Sequence, residues 1–167
     1  MINSITNANC YNNGLRLAGK LSEVTLPDVK IKSEEAQPLG MYGTVEIPVG
    51  LEKMEAKFKF NAIYADAWRE ESPHKTSVII VKSNMQKHTA AGVVENIPVT
   101  ATFSGFFKEI PTGVIKPGSK LEPEHVMAIS RYKLVVGSEV IYDIDVYNNI
   151  FIHCGKDILA SFKSNQL

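Results

Sequence analysis

The sequence predicts a mainly β protein, an antiparallel β-barrel or sandwich with a long β-hairpin and one or two short helices, in one domain over residues 1–167. Three observations predict it. Charged Lys53, Glu55, Lys57 and Lys59 alternate with apolar Met54, Ala56, Phe58 and Phe60, the period-2 signature of a strand with one wet face. Residues 93–136 hold two alternating runs on either side of a loop rich in Gly and Pro, the pattern of one long antiparallel hairpin. Turn signals such as Asn12-Asn13-Gly14 and Gly137-Ser138 recur between short apolar runs.

From the N-terminus, the Asn13-Gly14 turn joins two early strands, the second being Leu21 to Leu26, broken at Pro27 because proline is tolerated only at an edge or bulge. Ser33 to Gly43 carries Pro and two glycines with little periodicity and reads as a long exposed loop. After the strand at 53–60, Asn61 is placed to cap a short helix, Ala62 to Glu71, with Ile63, Tyr64, Ala67 and Trp68 at helical spacing and Pro73 beyond it. Thr76 to Met85 is β-branched and reads as a buried strand. In Val93 to Ile110, residues Val99, Ala101, Phe103, Gly105 and Phe107 share one face and Thr100, Thr102, Ser104 and Lys108 the other, with Phe106 interrupting the polar side. Val126 to Val136 returns as its partner. Glu139 to Val146 and Ile150 to His153 follow as strands, and a helical turn around Lys156 to Lys163 closes the chain. An open sheet of this kind must hide its unpaired edges, and pairing with a copy of itself is one solution.

Composition narrows the function classes. The chain is 44% hydrophobic and 22% charged, with 18 basic and 18 acidic residues, which excludes disordered, collagenous and coiled-coil classes. Zero net charge argues against a free nucleic-acid binder. Cys10 and Cys154 form no CxxC pair, so neither a disulfide framework nor a zinc site is expected. No cationic, apolar leader opens the chain and no run approaches a membrane span, so a soluble product without a membrane segment is expected.

Chemistry-bearing motifs are sparse. Gly113 and Gly118 have P-loop spacing, but Ser119 and Lys120 stand in the reverse of the required order, and Pro117 and Pro123 bracket the place where the phosphate-binding helix would start. A hairpin loop is the better reading. His74, His88, His125 and His153 lack metal-ligand spacing, and Asp143 and Asp145 read as the solvated side of a strand. There is no GxSxG elbow. No catalytic, cofactor-binding or metal site is expected, and nothing argues for an enzyme. Tyr132, Tyr142, Phe103 and Phe107 sit at core spacing, whereas Met41 and Tyr42 fall in the loop, where apolar residues mark a contact surface as readily as chance.

The order of segments carries a resemblance. Val24 to Pro27 (VTLP), Gly40 to Gly43 (GMYG), Gly50 to Phe58 (GLEKMEAKF), Phe107 to Gly113 (FKEIPTG), Pro117-Gly118, Arg131 to Asp145 and the closing Gly155, Asp157 and Leu159 resemble, in order and spacing, the major tail tube proteins of contractile-tailed phages and R-type bacteriocins. Ser72 to Gly92 and the turn at Cys154 depart from that pattern. The resemblance implies a structural subunit that closes into a hexameric ring, with rings stacked into a hollow tube. It further implies a tail sheath around that tube, baseplate or initiator and tail terminator proteins at its ends, and DNA as non-specific cargo in the bore of a phage. The place implied is the virion tail, or a tailocin particle, assembled in the bacterial host cytoplasm. Two expectations follow for surfaces. Either Lys53, Glu55, Lys57 and Lys59 or Thr100, Thr102, Ser104 and Lys108 line the bore, and the loop with Leu39, Gly40, Met41, Tyr42 and Gly43 reaches the next ring. The alternatives are the tube of a type VI secretion or other contractile injection system and, in a different class, a monomeric ligand-binding β-sandwich. With Trp68 on a helix and no second Trp to form a platform, the last is disfavoured.

Overall fold

The computed structural model describes residues 1–166. Its elements in chain order are β1 (Ile2–Asn12), β2 (Leu15–Arg16), β3 (Leu21–Thr25), β4 (Ile31–Ala36), β5 (Val45–Leu51), β6 (Met54–Phe60), α1 (Ala65–Glu70), β7 (Ser77–Thr89), β8 (Gly92–Glu109), β9 (Glu124–Val136), β10 (Glu139–Asp145), β11 (Ile150–His153), β12 (Lys156–Asp157) and α2 (Ala160–Gln166). The antiparallel β class with two short helices is the one predicted. The main sheet runs β12-β11-β10-β9-β8-β7-β1-β2, with β6 on β9 and β3 on β6, while β4 and β5 form a separate two-stranded ribbon.

The long hairpin is present as β8 and β9, paired from Val99↔Val136 to Glu109↔Val126. Along its other edge β9 changes partner. Residues 131–136 pair with β10 and residues 124–129 with β6, so the sheet forks near Ser130. Gly105 sits at that fork, at a register shift between β8 and β9. A Cβ there would lie 1.8 Å from the Ala128 carbonyl oxygen, so only glycine admits this approach of the two backbones. Folding at the fork lets the sheet cover its own apolar face.

One row of directly opposed residues crosses six strands: Asn12, Ile79, Phe103, Tyr132, Ile144 and Phe151. Phe58 on β6 fills the space beneath it, its ring 6.0 Å from that of Phe103 and 5.6 Å from that of Phe107. Each such buried aromatic contributes roughly 1.5–3 kcal/mol through burial alone. The alternation at 53–60 therefore acts as predicted, with Met54, Ala56, Phe58 and Phe60 all buried.

Four local expectations are corrected. The Asn13-Gly14 turn, with φ of 48° and 87°, joins β1 to β2, whereas β3 pairs with β6 instead of β1. Residues 33–36 of the expected loop belong to strand β4, paired with β5, which leaves residues 37–44 as the connection between the two strands. Both faces of that ribbon are exposed, so it lacks the period-2 signal of a half-buried strand. The helix starts at Ala65 with Tyr64 at its N-cap. Asn61 is engaged elsewhere, donating from Nδ2 to the Gly19 carbonyl at 2.8 Å and accepting the Tyr64 hydroxyl at 2.6 Å. Ile63 therefore precedes the helix and is exposed. Strand β7 runs four residues past Met85 to Thr89, held by β1 and β8 in a ribbon of low apolarity.

Candidate functional site

Residues 111–123 contain no helix, so Gly113 and Gly118 lead to no free helix N-terminus, and the Ser119 hydroxyl donates to the Lys116 carbonyl at 3.0 Å. Among the described residues no three His, Cys, Asp or Glu side chains converge in a metal-binding group, and no helix is long and apolar enough to cross a membrane. Both cysteines are free. Asp143 and Asp145 do not form a pair on a solvated face, since Asp145 is buried. Its carboxylate accepts the Asn148 side-chain and backbone N–H groups at 2.7 and 3.2 Å. Those bonds hold its pKa below the usual carboxylate range, with the Asn148 side chain the main cause. It shapes the β10–β11 turn.

The sites that remain are surfaces. The two polar rows, offered by the sequence as alternatives, lie on one face of the sheet. Thr100 stands between Lys82 and Val135, Thr102 between Ile80 and Lys133, and Ser104 between Val78 and Arg131. Farther along the same face Glu55 lies beside Ala128, and Ala128 beside Phe106. The Lys108 ammonium pairs with Glu55, which also receives Lys53 at 3.1 Å, so the rows meet. Lys57 pairs with Glu124 at 3.5 Å and Lys59 with Glu122 at 2.9 Å. Glu55 and Glu122 are held below the usual carboxylate value by their lysine hydrogen bonds, and Lys59 above the usual amine value by Glu122. The result is a charged face on which Lys53, Lys57, Lys59 and Lys108 share three glutamates, while Lys82, Arg131 and Lys133 form no ion pair among the described residues.

The β4–β5 ribbon projects its tip, where Leu39 and Tyr42 are fully exposed and Met41 is half exposed. Gly40 takes a φ of 88° beside the Pro38-to-Met41 turn, whose N–H···O distance is 3.1 Å. At the other end of the ribbon lies a groove of about 940 Å³, bounded by Pro48 to Met54, the fork of the main sheet, the β10–β11 turn and α2. Phe106, the residue that interrupts the polar alternation, forms part of its wall.

Strand β1 supplies the third surface. One edge pairs with β7, but on the other, among the described residues, cover reaches only Cys10 to Asn12, Tyr11 and Asn12 pairing with β2 and the Cys10 carbonyl accepting the Leu17 N–H at 2.8 Å. The open stretch carries Ile2 and Ile5, 70% and 66% exposed. A long uncovered edge with apolar side chains is a ready template for another strand.

Sequence reasoning missed one buried polar group. His125 and Glu71 are both buried and joined through Nδ1, and the other ring nitrogen of His125 lies 3.2 Å from the Pro111 carbonyl oxygen. Phe60 and Trp68 flank the imidazole at centroid distances of 4.8 and 5.2 Å. Burial pushes the Glu71 carboxyl up, against the stabilising bond from His125. The pair ties α1 to the start of β9 and to the β8–β9 loop. Its members are 54 residues apart, and no local pattern marks them.

Comparison with known proteins places these surfaces in context. The major tail tube protein of Serratia phage KSP20 is 24% identical over 150 residues, covering 89% of this chain and 85% of that protein. Two components of an extracellular contractile injection system share the fold. The PVC sheath/tube terminator in the extended state superposes with a TM-score of 0.56 at 8% identity, over 79% of this chain and 95% of that one. A chain of the PVC sheath-tube complex in the extended state gives 0.54 at 12% identity, over 77% and 88%. The family described as phage tail tube protein FII matches residues 2–165, and the chain, which matches it from end to end of its folded core, belongs to that family.

Proposed function

We propose that this contractile-tail tube subunit closes into six-membered rings through its sheet edges, and that the rings stack into a hollow tube enclosed by a tail sheath. The observation that carries this reading is the open edge of β1. Ile2 to Asn9 leave a row of backbone groups that no strand among the described residues covers on that side, and a ring of like subunits removes such an edge without a special capping element. Stacking is a head-to-tail contact, which continues until something ends it, a role for terminator and baseplate proteins.

Within that tube the face carrying Lys53, Glu55, Lys57, Lys59, Thr100, Thr102, Ser104 and Lys108 lines the bore. Its ion pairs support the assignment, because a wall along which DNA slides as cargo should not hold phosphates in register, and Lys53, Lys57, Lys59 and Lys108 are each paired with a glutamate. Leu39, Gly40, Met41, Tyr42 and Gly43 at the ribbon tip reach the next ring. The chain acts as a structural element of the virion tail or of a tailocin, assembled in the host cytoplasm, and its part is mechanical rather than catalytic.

Negative-stain microscopy of the purified chain tests the assembly, with rings or tubes expected and persistent monomers beside a baseplate the refuting outcome. Deleting residues 36–42 should leave folded subunits that no longer lengthen into tubes. Tubes of normal length from that deletion would overturn the role of the tip, and an assembled ring with both polar rows on its outer surface would overturn the bore assignment.

A further inference from the structure

Among the described residues, nothing fills the groove at the base of the β4–β5 ribbon. Ile31, Val49, Phe106, Tyr147, Ile158 and Phe162 line it, and each is between 48% and 85% exposed. A folded chain seldom leaves so many large apolar side chains on one wall unless something covers them. At the far end of the same ribbon, Leu39 and Tyr42 stand fully in solvent. The geometry points to a socket: the tip of one copy seats in the groove of the next copy along the tube. This rests on the reading of the tip as the inter-ring contact and names the surface that receives it.

The second copy is the occupant the arrangement favours. Tip and groove lie at opposite ends of one paired element, whose six-residue strand β4 spans roughly 20 Å at about 3.3 Å per residue. Copies displaced along that direction bring a tip to a groove, and each added copy exposes a fresh one. Such a contact is heterologous and does not close on itself, which is the symmetry a growing tube requires. Size agrees. A groove of about 940 Å³ stands near the upper end of the roughly 300–1,000 Å³ that accommodates a drug-sized molecule, room for three large side chains. Tyr42 alone would remove roughly 150–250 Å² from water, about a quarter of the ~800 Å² per partner in a standard interface. Its hydroxyl needs a polar partner, and Glu52 and Asn149 border the groove.

Cysteine cross-linking tests the pairing. Tyr42→Cys and Phe162→Cys are combined in a Cys154→Ser background, and tubes freed of sheath are isolated from cells that assemble complete tails. All three positions are solvent-facing. Mild oxidation should produce a ladder of disulfide-linked chains, with at least tenfold more linked product than from a Tyr42→Cys, Thr100→Cys control. Tyr42→Cys alone should react with maleimide at least tenfold more slowly in tubes than in free subunits. A shielded tip with no ladder to position 162 overturns the socket and leaves the inter-ring reading standing, whereas a tip that reacts equally fast in both states overturns both. As an independent check, Phe162→Asp should leave the thermal midpoint of the subunit unchanged but abolish long tubes, and Phe162→Leu should keep them. Full-length tubes from Phe162→Asp would also overturn the socket.

Discussion

Replacing Gly105 by alanine puts one methyl group at the point where the main sheet forks. The added carbon would sit 1.8 Å from the Ala128 carbonyl oxygen, 2.8 Å from its carbonyl carbon and 3.1 Å from the Ile129 Cα. All three are backbone atoms, so no side chain can swing away. To reach the 3.4 Å at which ordinary contact begins, β8 and β9 must part locally by about 1.6 Å. A shift of that size stretches neighbouring ladder hydrogen bonds past useful length. Losing two or three of them costs about 1 kcal/mol each, and overpacking adds roughly 1–3 kcal/mol. The expected destabilisation is about 4 kcal/mol. For a chain of this size that lowers the thermal midpoint by roughly 8–16 °C. Thermal unfolding by circular dichroism and urea titration of the subunit both read it. Gly43→Ala is the control, since nothing lies within 4 Å of its added carbon and its φ lies outside the left-handed region; it should be neutral. A loss of less than ~1 kcal/mol for Gly105→Ala would refute the argument that backbone approach at the fork sets the shape of the sheet.

Two further outcomes concern buried groups. Glu71→Ala strands the His125 ring nitrogen in a dry site and should cost about 3–5 kcal/mol, measured by urea unfolding. Because burial raises the Glu71 pKa above 4.5, the fold favours its protonated form. The stability linked to that proton is present below pH 4.5 and is lost as pH rises through the folded-state value. Glu55, Glu70 and Asp66 are held low by lysines and act in the opposite sense, losing their contribution as pH falls. Glu71→Gln should therefore remove a downward component from the midpoint-versus-pH curve above pH 4.5, and parallel curves for the two proteins would count against the assignment. Burial, with Glu71 adding to it, pushes the Cys10 thiol up to about 12, while Cys154 is exposed in the turn after β11. Mass spectrometry after brief maleimide treatment of free subunits should show one adduct, on Cys154, and two only in denaturant.

The legible parts of the fold were those in which one face of a strand is wet and the other dry. The alternation at 53–60 predicted β6 and its inward side chains, and the 93–136 pattern predicted the β8–β9 hairpin. Where both faces meet solvent, the pattern vanishes, which is why residues 33–36 of β4 read as loop. The polar rows were legible as rows. That they share one face was not, because it depends on β9 carrying β6 and β8 on its two edges. The groove was invisible for the same reason, since its walls come from segments more than a hundred residues apart, Ile31 and Phe162 among them.

What the amino-acid order determined by itself was local: periodicity set which side chains face inward, Asn13-Gly14 set the first turn, and the balance of 18 basic and 18 acidic residues set the electrostatic character. Tertiary structure alone decided which strands are neighbours, where the sheet forks, that His125 meets Glu71, and that β1 keeps an open edge. The physical reason is range. Backbone sterics and side-chain alternation act over a few residues, whereas strand partnership is chosen by the burial of a whole face, and that free energy exists only once distant segments have met.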